Sequence, residues 1–407
     1  MDPIPALYII LPLFAAFLIP VAGTLISGFQ KTFSSLILLL LVAYSLFYYL
    51  ESPGESFVTR IGGWEDVNSI PIAIYLVLDG LSAFLLLIIN IIGFLSIFYA
   101  ISYMKYYTAQ NNFYSLFCLM IAGMNGVVLS GDIFNIYIFL EIAVISSYAL
   151  VAFGTEKREL EASFKYQVLG GVASLIILFS AGMLYWQTGT LNLADISRVL
   201  KDNSYEAPVL LTQVFLITGF GLKAAMIPFH AWLPDAHSSA PSPISSMLSG
   251  VLIKAVGIYA LLRLFFNIFV LSYEIAVAIT VLGAISMVIG VLLAIGQWDL
   301  KRLLAYHSIS QMGYVIIGVG IGMIIIFRNG SEAVAALAIT GGLFHLINHA
   351  VFKGLLFLNA GAIEYMTGTR NLKRLGGLAK KMPLTATTSL GASFAISGVP
   401  PFNGFFS

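Results

Sequence analysis

The sequence predicts an all-α polytopic membrane protein. Of its 407 residues, 59% are hydrophobic and only 10% charged, whereas a soluble domain carries about 25% charged residues. Its apolar runs are continuous and near about 20 residues long, the length of a spanning helix. Strands of a membrane barrel would be shorter and would alternate apolar with polar positions.

Apolar segments fall near 4–24, 33–50, 73–103, 112–130, 132–153, 161–186, 209–227, 243–266, 273–297, 303–327, 333–365 and 384–407, giving about twelve spans. The first lacks a basic leader and a small-residue cleavage site, so it reads as a retained span. The longest polar connections, near 51–72, 187–208 and 366–383, are too short for a soluble domain. The chain therefore reads as a single transmembrane domain, 1–407. The 51–72 loop is acidic, with Glu51, Glu55, Glu65 and Asp66.

Charge bias sets the expected orientation. With the N-terminus external, one side holds Lys31, Lys105, Lys157, Arg158, Lys301, Arg302, Arg370, Lys373, Arg374, Lys380 and Lys381. The other holds Arg60, Arg198, Lys201 and Arg328. By the positive-inside rule the richer side is cytoplasmic. A net charge of +1 gives no reason to expect nucleic acid, and the single Cys118 excludes an internal disulfide or a cysteine-ligated iron–sulfur cluster built by this chain alone.

Two spans are interrupted. IPFHAWLPDAHSSAPSP carries Pro228, Pro234, Pro241 and Pro243, and SGVPPFNGFFS carries Gly398, Pro400, Pro401 and Gly404. Proline removes a donor and breaks the helix, and within a bilayer the freed carbonyls need protein or water partners. Paired interruptions in two halves of a chain point to an inverted repeat with the functional site at the breaks.

Ionisable residues lie inside otherwise apolar runs: Glu141, Lys223, Lys254, and His345, His349 and Lys353 on one stretch. An ionised residue at a bilayer centre costs about 2.5–3.5 kcal/mol on insertion scales and normally marks an ion or proton path. Burial lowers a lysine pKa and a carboxylate neighbour raises it, so Glu141 and Lys223 are expected to pair and exchange a proton; a static pair between helices is the rival reading. Lys254 lies too deep to snorkel and suits a relay. Arg263, near the end of its span, reads as a snorkelling or interface arginine. The i, i+4, i+8 spacing of His345, His349 and Lys353 puts them on one helix face, and imidazole accepts at one nitrogen while donating at the other. A metal is not expected there, because a third ligand is lacking and Lys353 repels a cation. Lys165 either tunes the pair or sits at the membrane surface. His307 either feeds the cytoplasmic end or caps its helix. His230 and His237 either line a proton entry or satisfy carbonyls freed by the break. GVGIG, with Gly318 and Gly322, reads as a helix-packing GxxxG rather than a nucleotide fingerprint, since no strand precedes it.

GLKAAMIPFHAWLPDAHSSAPSPISSMLSGVLIKAVGIY resembles the signature of the antiporter-like proton-translocating membrane subunits: chains L, M and N of respiratory complex I, the large subunits of Mrp-type cation/proton antiporters, and their counterparts in membrane-bound hydrogenases. DLKRLLAYHSISQMGY, HLINHAVFKGLLFLNAGAI and GVPPFNGFFS fit the same family, and MNGVVLSGDIFNIYIFLEIAVISSYALVAF is most similar to the Mrp D-type subunit. The resemblance implies that Glu141 and Lys223 form the gating ion pair, that Lys254 is the relay, and that His345, His349 and Lys353 form the polar face of the eleventh span. It implies inverted five-helix repeats over spans 4–8 and 9–13: N-terminal spans in 1–111, a first repeat in 112–266, and a second, incomplete repeat in 273–407, with broken helices near 223–240 and 398–407. The family places a lysine or glutamate just after a GFFS-like segment, so the chain is expected to be part of a longer product. It also implies no cofactor and no bond-changing site in this chain; redox centres and a quinone site, where the complex has them, belong to other subunits. The expected partners are the other membrane subunits of a redox pump or Mrp-type complex, protons and the lipid bilayer. Sodium/proton exchange and a passive scaffold are the alternatives. For sodium, Asp79 and Asp132 at span edges are further candidates beside Glu141, though hard cations want several oxygens.

Overall fold

The computed structural model describes residues 4–51, 54–63, 71–201, 206–270 and 272–407. The protein is an all-α polytopic membrane protein, and ten helices among the described residues are long and apolar enough to cross a membrane. They include α1 (Leu7–Leu25), α2 (Phe29–Glu51), α3 (Gly80–Tyr103), α4 (Gln110–Leu129), α5 (Ile133–Val151) and α6 (Lys157–Thr188). The amphipathic α7 (Leu193–Leu200) and the 17-residue α8 (Ala207–Lys223) follow. The short α9 (Trp232–Ser239) precedes a continuous apolar helix, Ser242–Asn267, built from α10 (Ser242–Met247), two π-helical stretches and α11 (Ala260–Asn267). Then come α12 (Tyr273–Ile295), α13 (Leu300–Phe327), α14 (Glu332–Thr367), a single turn α15 (Leu378–Lys381) and α16 (Pro383–Ile396).

Each expected apolar segment contains a helix, but those in 209–227 and 384–407, α8 and α16, are shorter than the ten spanning helices, and two segments differ in their bounds. The run expected at 73–103 is not one span. Its first residues form β2 (Ile74–Leu78), paired antiparallel with β1 (Phe57–Ile61) in the register Phe57↔Leu78 to Ile61↔Ile74. Asp79 then starts α3 through a capping box: its Oδ1 accepts from the Ser82 amide at 2.9 Å, and the Asp79 amide donates to Ser82 Oγ at 2.7 Å. The last expected segment, 384–407, is helical only as far as Ile396. Glu65 and Asp66 of the acidic loop lie outside the described residues, whereas Glu51 and Glu55 are exposed.

The described residues fall into two compact units. One draws on Met1–Leu150, Gln167–Lys223 and Ala255–Val270; the other on Val151–Tyr166, Ala224–Lys254 and Leu271–Ser407. In the first unit α4 is buried over most of its length and α1 packs along it. The Asn125 amide reaches the Tyr8 carbonyl at 2.9 Å, fixing that contact. In the second, α12, α13 and α14 pack in sequence. The GxxxG reading holds there: a side chain at Gly318 would meet the Ala338 carbonyl oxygen at 2.9 Å, and one at Gly322 would meet Ile339.

One local structure occurs once in each unit. In Thr188-Gly189-Thr190-Leu191-Asn192 the Thr188 hydroxyl donates to the Leu184 and Thr190 carbonyls at 2.8 and 3.1 Å, and the Asn192 side chain caps α7. In Thr367-Gly368-Thr369-Arg370-Asn371 the Thr367 hydroxyl donates to the Ile363 and Thr369 carbonyls at 2.7 and 3.0 Å, and the Asn371 side chain accepts from the Lys373 amide. Both glycines have positive φ, 72° and 69°, where L side chains are disfavoured. Asn192 bridges to Asp132 ahead of α5, and Asn371 to Asp299 ahead of α13.

Candidate proton-transfer site

Glu141 projects from α5 and Lys223 closes α8, both in the first unit. Lys223 is buried; Glu141 is partly exposed. Their charged atoms stand 3.8 Å apart, too far for a hydrogen bond. Ser174 of α6 fills the gap. Its hydroxyl accepts from Lys223 Nζ at 2.8 Å and donates to Glu141 Oε1, with the Gly170 carbonyl as an alternative acceptor at 3.0 Å. Sequence reasoning missed Ser174, because a serine in a membrane helix ordinarily bonds its own backbone.

In the same unit, Arg263 corrects the snorkelling half of the sequence reading. It does not snorkel: its guanidinium grips the Asp79 carboxylate with both terminal nitrogens, at 2.6 and 2.7 Å, and its side chain is 8% exposed. Tyr259 joins this cluster, accepting from Arg263 at 3.0 Å and donating to the Val128 carbonyl at 2.6 Å. Burial alone would raise the Asp79 carboxyl pKa; the Arg263 guanidinium and the Ser82 bonds outweigh it and hold the group at about 2. Asp132 behaves oppositely. Burial pushes its pKa up, with partial compensation from the Asn135 and Phe134 amides that its side chain caps.

In the second unit the first break is pinned from several directions. Trp232 stacks on Tyr166 at 4.2 Å, and the Ile227 amide donates to Ser286 Oγ at 3.0 Å. Asp235 binds Lys165 at 3.1 Å and Arg302 at 2.5 Å. Lys165, also paired with Glu161 at 2.7 Å and 46% exposed, thus serves this surface network.

Lys254 sits where the helix widens into π-helical turns at Leu248–Leu252 and Lys254–Tyr259, an irregularity frequent at functional sites. It is buried and donates to the Ser249 carbonyl; Ser249 Oγ in turn bonds Ser308 Oγ at 2.7 Å. On α14, His345, His349 and Lys353, which their spacing sets on one face, are all buried. His345 bonds Gln311 Oε1 at 2.8 Å and Ser407 Oγ at 2.9 Å. His349 has no hydrogen-bond partner on either ring nitrogen among the described residues. Lys353 donates to the Leu304 carbonyl at 2.8 Å and, with His307, lines a cavity of about 510 Å³ between α13, α14 and α16. His307 does not act as an N-cap, since Asp299 caps α13 through the Arg302 amide at 3.0 Å. His230 lies beside Tyr306, with ring centroids 6.4 Å apart.

Lys301 is a second correction. The sequence placed it with the loop cations, yet it is 1% exposed, with Nζ 2.9 Å from the Ala240 carbonyl oxygen and 3.6 Å from Glu364. The three buried amines of this unit, Lys254, Lys301 and Lys353, therefore each rest on a main-chain carbonyl.

Comparison with known proteins places this site in context. Residues 130–407 match the family described as NADH:quinone oxidoreductase/Mrp antiporter, and residues 64–114 match the N-terminal region of complex I chain 5. The N-type subunit of the NADH-quinone oxidoreductase of Desulforudis audaxviator is 36% identical, covering 99% of this chain and 78% of that protein. The D-type subunit of the Na(+)/H(+) antiporter of Alkalihalophilus pseudofirmus is 34% identical, covering 86% and 68%. These identities do not separate a D-type from an N-type subunit. A chain of the archaeal membrane-bound sulfane sulfur reductase superposes with TM-score 0.87 at 30% identity, covering 100% of this chain and 80% of its own. A chain of the Mrp complex of Dietzia superposes with TM-score 0.87 at 29% identity, covering 98% and 72%. The chain belongs to the NADH:quinone oxidoreductase/Mrp antiporter family of antiporter-like membrane subunits.

Proposed function

We propose that this chain moves protons as one subunit of a multi-subunit complex in the cell membrane, with its N-terminus external and residues 112–266 and 273–407 acting as two related repeats. Glu141, Ser174 and Lys223 form its gate; Lys254, His345, His349 and Lys353 carry the proton onward, and the chain itself changes no covalent bond in a substrate. The single observation that supports this reading most strongly is the hydroxyl between a buried amine and a carboxylate. Serine accepts from the ammonium and donates to the carboxylate at the same time, so a proton passes by exchanging bonds over short distances. The buried lysines, and a histidine without a hydrogen-bond partner among the described residues, argue against a passive scaffold, since apolar side chains would pack these helices at lower cost.

Proton-coupled cation exchange is the second reading, favoured by the likeness to a D-type Na(+)/H(+) antiporter subunit. A hard cation wants several oxygen ligands, and this chain commits the Asp79 carboxylate to Arg263 and Asp132 to backbone amides. A cation path would then draw on carboxylates of neighbouring subunits.

The test is proton flux in vesicles reconstituted with the full-length protein in its complex, comparing wild type with Lys223→Ala and Glu141→Ala. Loss of flux in both, with the complex intact, is expected. Wild-type flux in both would remove these residues from the path.

A further inference from the structure

The segment around the first break carries more unsatisfied polarity than any gate role assigned above uses. His237 is fully buried and stacked on Phe357 with ring centroids 4.8 Å apart, yet neither ring nitrogen has a hydrogen-bond partner among the described residues. The same holds for the buried hydroxyls of Ser239 and Ser242. Buried polar atoms are rarely left unpaired, and a polar site with several such atoms is where ordered water sits. These groups flank Ala240, whose carbonyl receives Lys301 Nζ. Beside Lys301 stands Glu364, whose side chain is 33% exposed and so reaches solvent.

We propose that Glu364, Lys301 and His237 form a proton inlet on the cytoplasmic side, with water held by Ser239 and Ser242 joining the lysine to the histidine. The proposal rests on the proton-conducting reading and on the orientation given above. Glu364 takes a proton from bulk water. Its O–H bond breaks as an N–H bond forms on the neutral Lys301 amine. The resulting ammonium passes one proton through the serine-bound water to one nitrogen of His237, which releases its other proton inward. Lys254 and Lys353 lie within electrostatic range of His237 and are the acceptors on that side. Lys301 is also faced by Asp299, Arg370 and Glu159. Arg370 bridges Asp299 and Glu364 at 3.4 Å each, so it holds the Glu364 carboxylate beside the amine.

A purely structural Lys301 would make the same contacts, so the experiment must separate shape from proton release. Lys301→Arg keeps a permanent positive charge and donors for the Ala240 carbonyl and Glu364, but arginine does not release its proton in proteins. The assay is proton flux in vesicles holding the whole complex, with Lys223→Arg measured in parallel. The inlet predicts that Lys301→Arg assembles normally and slows flux by about tenfold or more, and that Glu364→Gln slows it in the same direction. Wild-type flux in Lys301→Arg with flux lost in Lys223→Arg would overturn the inlet and leave the gate standing; wild-type flux in both would overturn both. Should Lys301→Arg fail to assemble, Glu364→Gln decides, because its side chain is partly solvated: unchanged flux there overturns the inlet.

Discussion

Lys223 and Glu141 meet through a third residue. Their charged atoms are 3.8 Å apart, and the Ser174 hydroxyl bonds both. A hydroxyl carries one proton and two lone pairs, so it donates to only one of its two acceptors, Glu141 or the Gly170 carbonyl, at a time. Turning that proton to Gly170 frees the carboxylate without separating the helices.

Ser174→Ala tests this. A hydrogen bond to a charged group contributes about 1.5–3 kcal/mol, which corresponds to a rate change of about tenfold or more if that bond is used in the transfer. Flux in reconstituted vesicles should fall by that factor while the complex still assembles, because alanine removes only one buried oxygen. Unchanged flux would mean that the direct 3.8 Å contact suffices.

The Asp79–Arg263 pair is a stability element at the start of α3. The Asp79 carboxyl sits at about 2, below its ordinary 3.8. A depressed carboxylate stabilises the fold above its unfolded pKa, and that contribution is lost as pH falls through the folded value. Thermal unfolding in detergent should therefore show a melting temperature that drops between about pH 4 and pH 2, and Asp79→Asn should lower it at neutral pH by a margin equivalent to about 2 kcal/mol or more. Arg263→Lys should recover only part of the loss, because an ammonium cannot reproduce the two-point grip.

Gly318 permits the close approach of α13 and α14. An added methyl would lie 2.9 Å from the Ala338 carbonyl oxygen and 3.1 Å from the Gly342 amide nitrogen, both backbone atoms that cannot rotate away. Gly318→Ala should force the helices apart at about 1–3 kcal/mol, read as a lower melting temperature of the purified chain. Gly341→Ala, where a methyl meets nothing within 4 Å, is the matched control.

The sequence was most legible where it broke its own pattern. Charges in apolar runs located Glu141, Lys223, Lys254 and the α14 face, and prolines located both interruptions, because each is costly in a bilayer and so stands out from its surroundings. It was least legible where a residue looked ordinary. The strand Ile74–Leu78 is as apolar as the helix that follows, so hydropathy merged them. Ser174 is one serine among many. Lys301 follows Asp299 in what reads as a polar turn, and only the fold of Ala240 over it makes it interior. Arg263 and Asp79 lie 184 residues apart, a separation at which no local pattern signals contact. The two Thr-Gly-Thr-x-Asn turns drew no notice in the sequence, and their common bonding emerges only in three dimensions.

The carbonyl seats of Lys254, Lys301 and Lys353 carry one further consequence. A carboxylate partner favours ammonium over free amine, so an amine beside one changes its grip each time it discharges. A peptide oxygen accepts an N–H from either form. Lys254 and Lys353, which face no carboxylate within ion-pair distance among the described residues, would therefore stay docked through the proposed cycle of charging and discharging, with water and protons rather than whole helices moving between them, whereas Lys301 also answers to Glu364.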